Sequence, residues 1–344
     1  MSLVPGGNAT PWRQRARATA INLAVALLSI GVFLAVVEIG LRLNGFSYVL
    51  YPEDIEFGMP DPQLMKIGFL PDDDLFWVTP DYPDKLARLR TERPRLIFMG
   101  DSCTQLGHYD SELAARVANR GGGVLSYGNL GVAGWSSYQG RRQLERDVLE
   151  LEPAVVTIYY GWNDHWIGFG IADKNVARVR RVFSTRWSGL RTTQLVTKAT
   201  VAMGARQTAY PNRVALEDFE DNLRTMVRTA RTRGIQPMLV TAGSSHTPGQ
   251  EPEELASRWL RDLSELVPLH QSYVEAVRRV AGQEQALLCD AAAQFAALPR
   301  AELETAFTAD GIHLTADGDR HLAAMLYACF ERDGLLDLVT KPAS

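Results

Sequence analysis

The sequence predicts an α/β domain built on a parallel sheet and preceded by one N-terminal membrane-spanning helix. Three observations carry this. Short apolar strands alternate with helices from Arg95 onward, and such alternation implies a parallel sheet covered on both faces. Four short motifs follow one another in the chain, the first three directly after strands, where open parallel sheets hold their ligands. The stretch from Ala18 to Val37 carries no charged side chain.

Twenty helical residues span roughly 30 Å, the thickness of a hydrocarbon core. A buried core helix would show a polar stripe, and Ala18–Val37 offers only Thr19, Asn22 and Ser29. A cleaved signal peptide has a shorter apolar region ending in a small-x-small site, and this run passes into Glu38 and Arg42 without one. It reads as an uncleaved anchor. Arg13, Arg15 and Arg17 precede it, which places residues 1–17 in the cytoplasm and the rest in the periplasm or outside the cell. The anchor is single-pass, in the inner membrane. A net charge of −4 gives no reason to expect nucleic acid. Cys103, Cys289 and Cys329 fit no zinc-ligand spacing and read as small buried residues. A bridge between Cys289 and Cys329 is the lesser alternative for a domain outside the cytoplasm.

Residues 38–94 form a juxtamembrane segment. Pro52, Pro60, Pro62, Pro71, Pro80 and Pro83 prevent long helices. Phe76 to Val78 is a short strand, and Asp72 to Asp74 is a solvated turn. Strands are expected at 96–99, 124–127, 154–160, 238–241 and 286–289. Helices are expected at 110–119, 138–150, 216–233, 265–281 and 316–332. The main domain covers 95–334, and 335–344 is a tail. Residues 165–212 interrupt the rhythm and are too long for a plain loop. They contain His165, Trp166, Trp187 and Arg178, Arg180, Arg181, Arg186 and Arg191. Two readings stand side by side: a solvated helical insertion, or a lid that walls the substrate cleft.

The motifs are Gly100-Asp101-Ser102, Asn129 to Gly134, Gly161-Trp162-Asn163-Asp164 and Asp310-Gly311-Ile312-His313. Ser102 sits where a strand gives way to a helix and can act as a nucleophile, although an N-cap serine occupies the same position. Gly134 N–H, Ser102 N–H and the Asn163 side chain can serve as oxyanion donors. Asn163 and Asp310 also suit plain turns. Of the six histidines, only His313 has an aspartate three residues before it in a loop followed by a helix. That spacing lets Asp310 accept from the imidazole and fix its tautomer. Asp101, Asp164, His165 and Trp166 are expected to line the cleft. Gly128, Gly131 and Gly134 do not have dinucleotide-loop spacing.

Taken together the four motifs resemble the conserved blocks of the SGNH/GDSL hydrolase superfamily over about residues 95–332, with Cys103 where that family often has Leu or Ile. The resemblance implies a flavodoxin-like three-layer α/β/α sandwich with a central parallel sheet. It implies that Ser102, Gly134, Asn163 and His313 are the signature residues, with Asp310 beside His313, and that no metal or cofactor takes part.

The expected function is a membrane-anchored serine esterase that hydrolyses carboxylic esters through an acyl-enzyme. Its partners would be an ester-bearing small molecule, a lipid or an acetylated glycan, and the membrane through the N-terminal helix. An O-acyltransferase acting on a cell-wall or exported polysaccharide, drawing on an acyl-donor protein, is the alternative. A non-catalytic glycan-binding protein is a third reading. The fold alone does not choose among substrates.

Overall fold

A computed structural model describes residues 11–48, 68–121, 123–167, 172–176, 189–207, 211–256, 260 and 262–341. It divides into two compact units, one of residues 1–49 and 181–200, the other of 50–180 and 201–344.

The first unit contains helix α1 (Pro11–Leu43). Its stretch Arg15–Leu43 is long and apolar enough to cross a membrane, and side chains such as Leu27, Leu28 and Phe33 are exposed. The few polar groups inside it turn inward. Thr19 Oγ1 donates to the Arg15 carbonyl and Ser29 Oγ to that of Val25, which leaves no hydroxyl in need of water. At the far end Glu38 accepts from the N–H groups of Arg191 and Thr192 at 3.0 and 2.8 Å. Those amides open a helix from Arg191 to Gln207, and Glu38 supplies the acceptor that its first turn lacks. Part of the 165–212 insertion therefore belongs to the same unit as the apolar helix.

In the second unit the hairpin β1 (Leu70–Asp72) and β2 (Phe76–Val78) comes first. Helix α2 (Tyr82–Glu92) follows, then β3 (Leu96–Gly100), β4 (Val124–Leu125), β5 (Tyr127–Asn129), β6 (Val155–Tyr159), β7 (Gln236–Val240), β8 (Leu287–Cys289) and β9 (Thr340–Lys341). The central sheet runs β5-β3-β6-β7-β8 with every pair parallel. Counting only its own strands, the order is 2-1-3-4-5, the doubly wound flavodoxin-like order. Alternation along β3 separates two cores. Ile97 and Met99 face Leu86, Leu223 and Val277, whereas Leu96 and Phe98 face Leu113, Leu322 and Phe330. Helices thus cover both faces, and the three-layer expectation holds.

Several boundaries differ from those read in the sequence. The expected strand 124–127 is split at Ser126, whose carbonyl accepts from Arg95 and Leu96 while its N–H donates to Val339. Only β5 enters the parallel sheet, and β4 pairs with β9, so the expected tail is partly structured. The helix expected at 138–150 is α-helical only over Ser137–Gln143 and continues as a π turn and a 3₁₀ turn to Leu151. The juxtamembrane stretch also packs on the main domain, with Leu75, Phe76 and Trp77 fully buried in the core. Pro83 sits in the first turn of α2, where its missing N–H costs nothing. Asp72 and Asp74, read as a solvated turn, pair with Arg146 and Arg142.

Cys289 and Cys329 form a disulfide with Cα atoms 5.7 Å apart, 40 positions apart in sequence. Of the two readings of these cysteines the lesser one therefore holds, and only Cys103 is free. Strand β8 and the helix Ala316–Arg332 bring the pair within bridging distance. In the chain-entropy account, such a loop stabilises the fold by about 4 kcal/mol. Replacing both cysteines with alanine should lower the melting temperature by about 10 °C, read by circular dichroism; an unchanged melt would mean the bridge does not constrain the unfolded chain.

Candidate active site

Three sheet strands deliver the first three motifs to their carboxyl ends. Gly100 closes β3, and a β carbon there would collide with the Thr104 side chain and the Tyr159 carbonyl. The tight exit starts the short helix Ser102–Gln105, with Asp101 as N-cap accepting from Cys103 N–H at 2.9 Å. Ser102 is the first helical residue and half-buried. Among the described residues its N–H makes no backbone hydrogen bond.

The fourth motif arrives on a loop closed by the bridge between Phe307 and Leu314. Asp310 organises it. One carboxylate oxygen accepts from Thr308 Oγ1 at 2.6 Å and from the N–H groups of Ile312 and His313 at 2.9 and 3.0 Å. The other lies 2.5 Å from His313 Nδ1. A carboxylate partner requires Nδ1 to carry the proton, which leaves the Nε2 lone pair free. Nε2 is 2.8 Å from Ser102 Oγ. Residues 211 positions apart thus form one line from carboxylate to hydroxyl. Such a line can remove the hydroxyl proton as the oxygen attacks an electrophile.

Electrostatics favour the same assignment of protons. Burial opposes charge on His313, but the hydrogen bond and negative charge of Asp310, helped by Asp101, raise its pKa above the ordinary value. Burial works against ionised Asp310 too, yet hydrogen bonds from His313 and Thr308 and the imidazolium charge hold it well below the usual carboxylate range. Asp101 moves the other way: burial pushes it up to about 6, against hydrogen bonds from Cys103 and Asn163 and the charge of His313.

Asn163 is buried, and its Nδ2 donates to the second Asp101 oxygen at 3.1 Å. That contact settles which end of the amide is nitrogen. An amide nitrogen carries two hydrogens, so a second donor remains. Gly134 has φ of +78°, a conformation that favours glycine. Its loop is tied to the Ser102 helix through Ala133 N–H to Gln105 Oε1 at 2.6 Å and Asn129 Nδ2 to the Thr104 carbonyl at 2.8 Å. Among the described residues the Gly134 N–H makes no backbone hydrogen bond.

The four residues expected to line the cleft are instead buried. Asp101 braces Asn163. Asp164 accepts from Ser137 N–H and Oγ at 2.9 and 2.5 Å, capping a helix start, and burial pushes it up to about 7. His165 lies 3.1 Å from His270, and Trp166 stacks on Trp162 at 5.9 Å. Trp166 has only 4% of its surface exposed and also packs against the His165 ring at 4.5 Å. His165 does border a cavity of about 880 Å³ with Lys174, Asn212, Asp218 and Leu269, but Ser102, Asp310 and His313 do not line it. Trp187, Arg178, Arg180, Arg181 and Arg186 lie outside the described residues.

Sequence reasoning missed three supporting residues. No motif singles out His246, yet its Nε2 donates to the Asp310 carbonyl at 2.7 Å. Arg213 and Asp173 are both fully buried and paired at 2.9 Å, and Arg213 donates to the Gly134 carbonyl at 2.6 Å. No motif marked them; a charged residue at each end of the insertion was the only signal.

The Asp310–His313 contact makes a direct prediction. Asp310→Asn removes the hydrogen-bond acceptor and negative charge that raise His313, so the imidazole should titrate at lower pH than in the parent protein. Histidine Cε1–H chemical shifts measure it, and an unmoved titration would show that Asp310 does not control His313.

The sequence model of the GDSL-like lipase/acylhydrolase family matches residues 98–321. No curated protein sequence matches. Among solved structures, a lipase/acylhydrolase from Enterococcus faecalis is 16% identical, with 70% of this chain and 96% of that chain covered at a TM-score of 0.47. A GDSL-like lipase from Bacteroides thetaiotaomicron is 18% identical, covering 74% and 98% at 0.46. An acetylxylan esterase from Geobacillus stearothermophilus is 18% identical, covering 69% and 93% at 0.44. With the family match spanning most of its length and all four motifs inside it, the chain belongs to the GDSL-like lipase/acylhydrolase family of ester-hydrolysing enzymes.

Proposed function

We propose that the protein is a membrane-anchored serine esterase working outside the cytoplasm, with Ser102 as nucleophile, His313 as general base and Asp310 as its orienting partner. The observation that carries this reading is the unbroken line Asp310–His313–Ser102, at 2.5 and 2.8 Å. Ser102 Oγ attacks the ester carbonyl carbon while His313 Nε2 takes its proton. The developing oxyanion accepts from the N–H groups of Ser102 and Gly134 and from Asn163 Nδ2. His313 then gives the proton to the departing alcohol, leaving Ser102 acylated. Water, deprotonated by His313, releases the acid and restores the serine.

Two observations support the location. Helix α1 is long and apolar enough to span a membrane and follows Arg13, Arg15 and Arg17, an arrangement that keeps the N-terminus inside. The Cys289–Cys329 bridge suits an oxidising compartment. The acyl group would come from a small ester, a lipid or an acetylated glycan.

Ser102→Ala should abolish turnover of a reporter ester with the melting temperature nearly unchanged, since a half-exposed hydroxyl supports no core; parent-level turnover in this variant would end the serine mechanism. Profiling acyl-chain length with and without sugar acceptors separates hydrolysis from transfer. Free acid as the sole product supports the esterase, and acyl sugar at its expense supports the transferase.

The pH profile follows from the sign of the His313 shift. The base works only when neutral, and its pKa is raised. Activity should therefore fall on acidification along a limb centred above pH 6.5. In Asp310→Asn that limb should move to lower pH while the maximal rate drops. A limb at or below the ordinary histidine value in the parent protein would contradict the assignment.

A further inference from the structure

Trp77 lies in β2, ahead of the family-matched residues 98–321. It is fully buried. Its indole Nε1–H donates to the Ala133 carbonyl at 3.0 Å. In return, Trp135 Nε1–H donates to the Trp77 carbonyl at 2.9 Å. The two tryptophans thus close a reciprocal pair around the residues flanking Gly134.

The Ala133 carbonyl and the Gly134 N–H belong to one peptide group. That group is planar and trans, so its C=O and N–H point in opposite directions. Whatever fixes the carbonyl also aims the N–H, and an indole donor on the carbonyl directs the Gly134 N–H away from Trp77. This matters because glycine with φ of +78° has no β carbon to resist a peptide flip. A flipped peptide would set its N–H against the indole N–H, two donors face to face in a dry site. The neighbouring peptide is held independently, by Arg213 on the Gly134 carbonyl at 2.6 Å. Ala133 N–H is held by Gln105 at 2.6 Å. The Ala133 carbonyl is the remaining handle, and only Trp77 grips it among the described residues.

We propose that Trp77 is a positioning residue for ester hydrolysis: its indole N–H holds the Ala133 carbonyl so that the Gly134 N–H faces the oxyanion. The segment before the family-matched region therefore completes the site. This rests on the reading above, in which Gly134 N–H and Asn163 receive that charge. Trp77 touches no reacting atom; it acts through one peptide group.

The test compares Trp77→Phe and Asn163→Ala with the parent, using the full chain in detergent and a p-nitrophenyl ester. Phenylalanine keeps an aromatic ring and removes the donor. Losing one oxyanion donor outright costs 10² to 10³ in kcat, and a donor left unaimed should cost less, about tenfold. The expected result is a kcat about tenfold lower in Trp77→Phe, KM within about twofold, and the acidic limb of the pH profile unmoved, because the Ser102–His313–Asp310 line is untouched. A general packing defect would instead move the limb, or scale the rate with the folded fraction, and either outcome overturns the proposal. So does a kcat within about twofold of the parent while Asn163→Ala is strongly impaired. If Asn163→Ala keeps parent kcat, the oxyanion reading itself fails, and Trp77 falls with it. Should Trp77→Phe not fold, β-(3-benzothienyl)alanine at position 77 preserves the ring shape and replaces the N–H with sulfur. The same kcat, KM and pH criteria then apply, and failure of this isostere to fold would show that the N–H serves folding and overturn the proposal.

Discussion

A guanidinium buried with no exposed surface must have its charge and its donors answered from within, or the domain will not close around it. Arg213 is in that position. Asp173 answers the charge at 2.9 Å, and Gln139 and the Gly134 carbonyl take further donors at 3.0 and 2.6 Å. Asp173 also accepts from Ser136 Oγ at 2.6 Å. One ion pair therefore ties together the start of the insertion, its end, the capped helix that follows the oxyanion loop, and that loop itself. Asp173 N–H to the Arg213 carbonyl and Arg213 N–H to the Trp166 carbonyl, both at 2.8 Å, close the same knot through the backbone. A long insertion costs little when its ends already meet, and here the closure of those ends also secures the peptide that follows Gly134.

The histidines show how burial and charge sort chemically identical side chains. Burial lowers the pKa of His165 and His270, the latter to about 3, and their mutual proximity adds to the effect on His165. Both are therefore neutral packing groups. His270 stacks on Trp162 at 3.6 Å and lies 3.0 Å from the Ala242 carbonyl. Burial lowers His246 as well, which suits a neutral ring donating to the Asp310 carbonyl. His313 alone among these four has a carboxylate against its ring, and its shift is upward. The difference between the ring proposed as general base and a core ring is one aspartate three residues away.

That aspartate was legible in the sequence, as were the ends of β3 and β6, because each depends on neighbours within a few residues. Gly100 has no room for a β carbon, Asp101 caps the next helix, and Asp310 reaches His313 across a short loop. The parallel sheet was legible from apolar runs between helices. What stayed hidden depends on distant partners. Nothing near Trp77 says that its indole will meet Ala133, and nothing near Asp173 announces Arg213. The Cys289–Cys329 bridge needed the packing of a strand against the last long helix. Trp166 was misjudged for a related reason: its position next to the motif suggested exposure, whereas Trp162 and its neighbours enclose it.

Part of the insertion also serves the first unit in a way that residue order conceals. The chain passes between them after Val49, before Arg181 and after Thr200. Residues 181–200 belong with the apolar helix, where Glu38 accepts from the amides of Arg191 and Thr192 and from Arg42. Arg191 in turn donates to Ser47 and Gln194. A cut after residue 43 removes Glu38 and leaves the first-turn amides of the Arg191–Gln207 helix without their acceptor. Glu38 near the end of the apolar helix caps a helix that begins at a separation of 153 residues, at Arg191. The intact chain, with α1 present, is the form in which that helix has its cap.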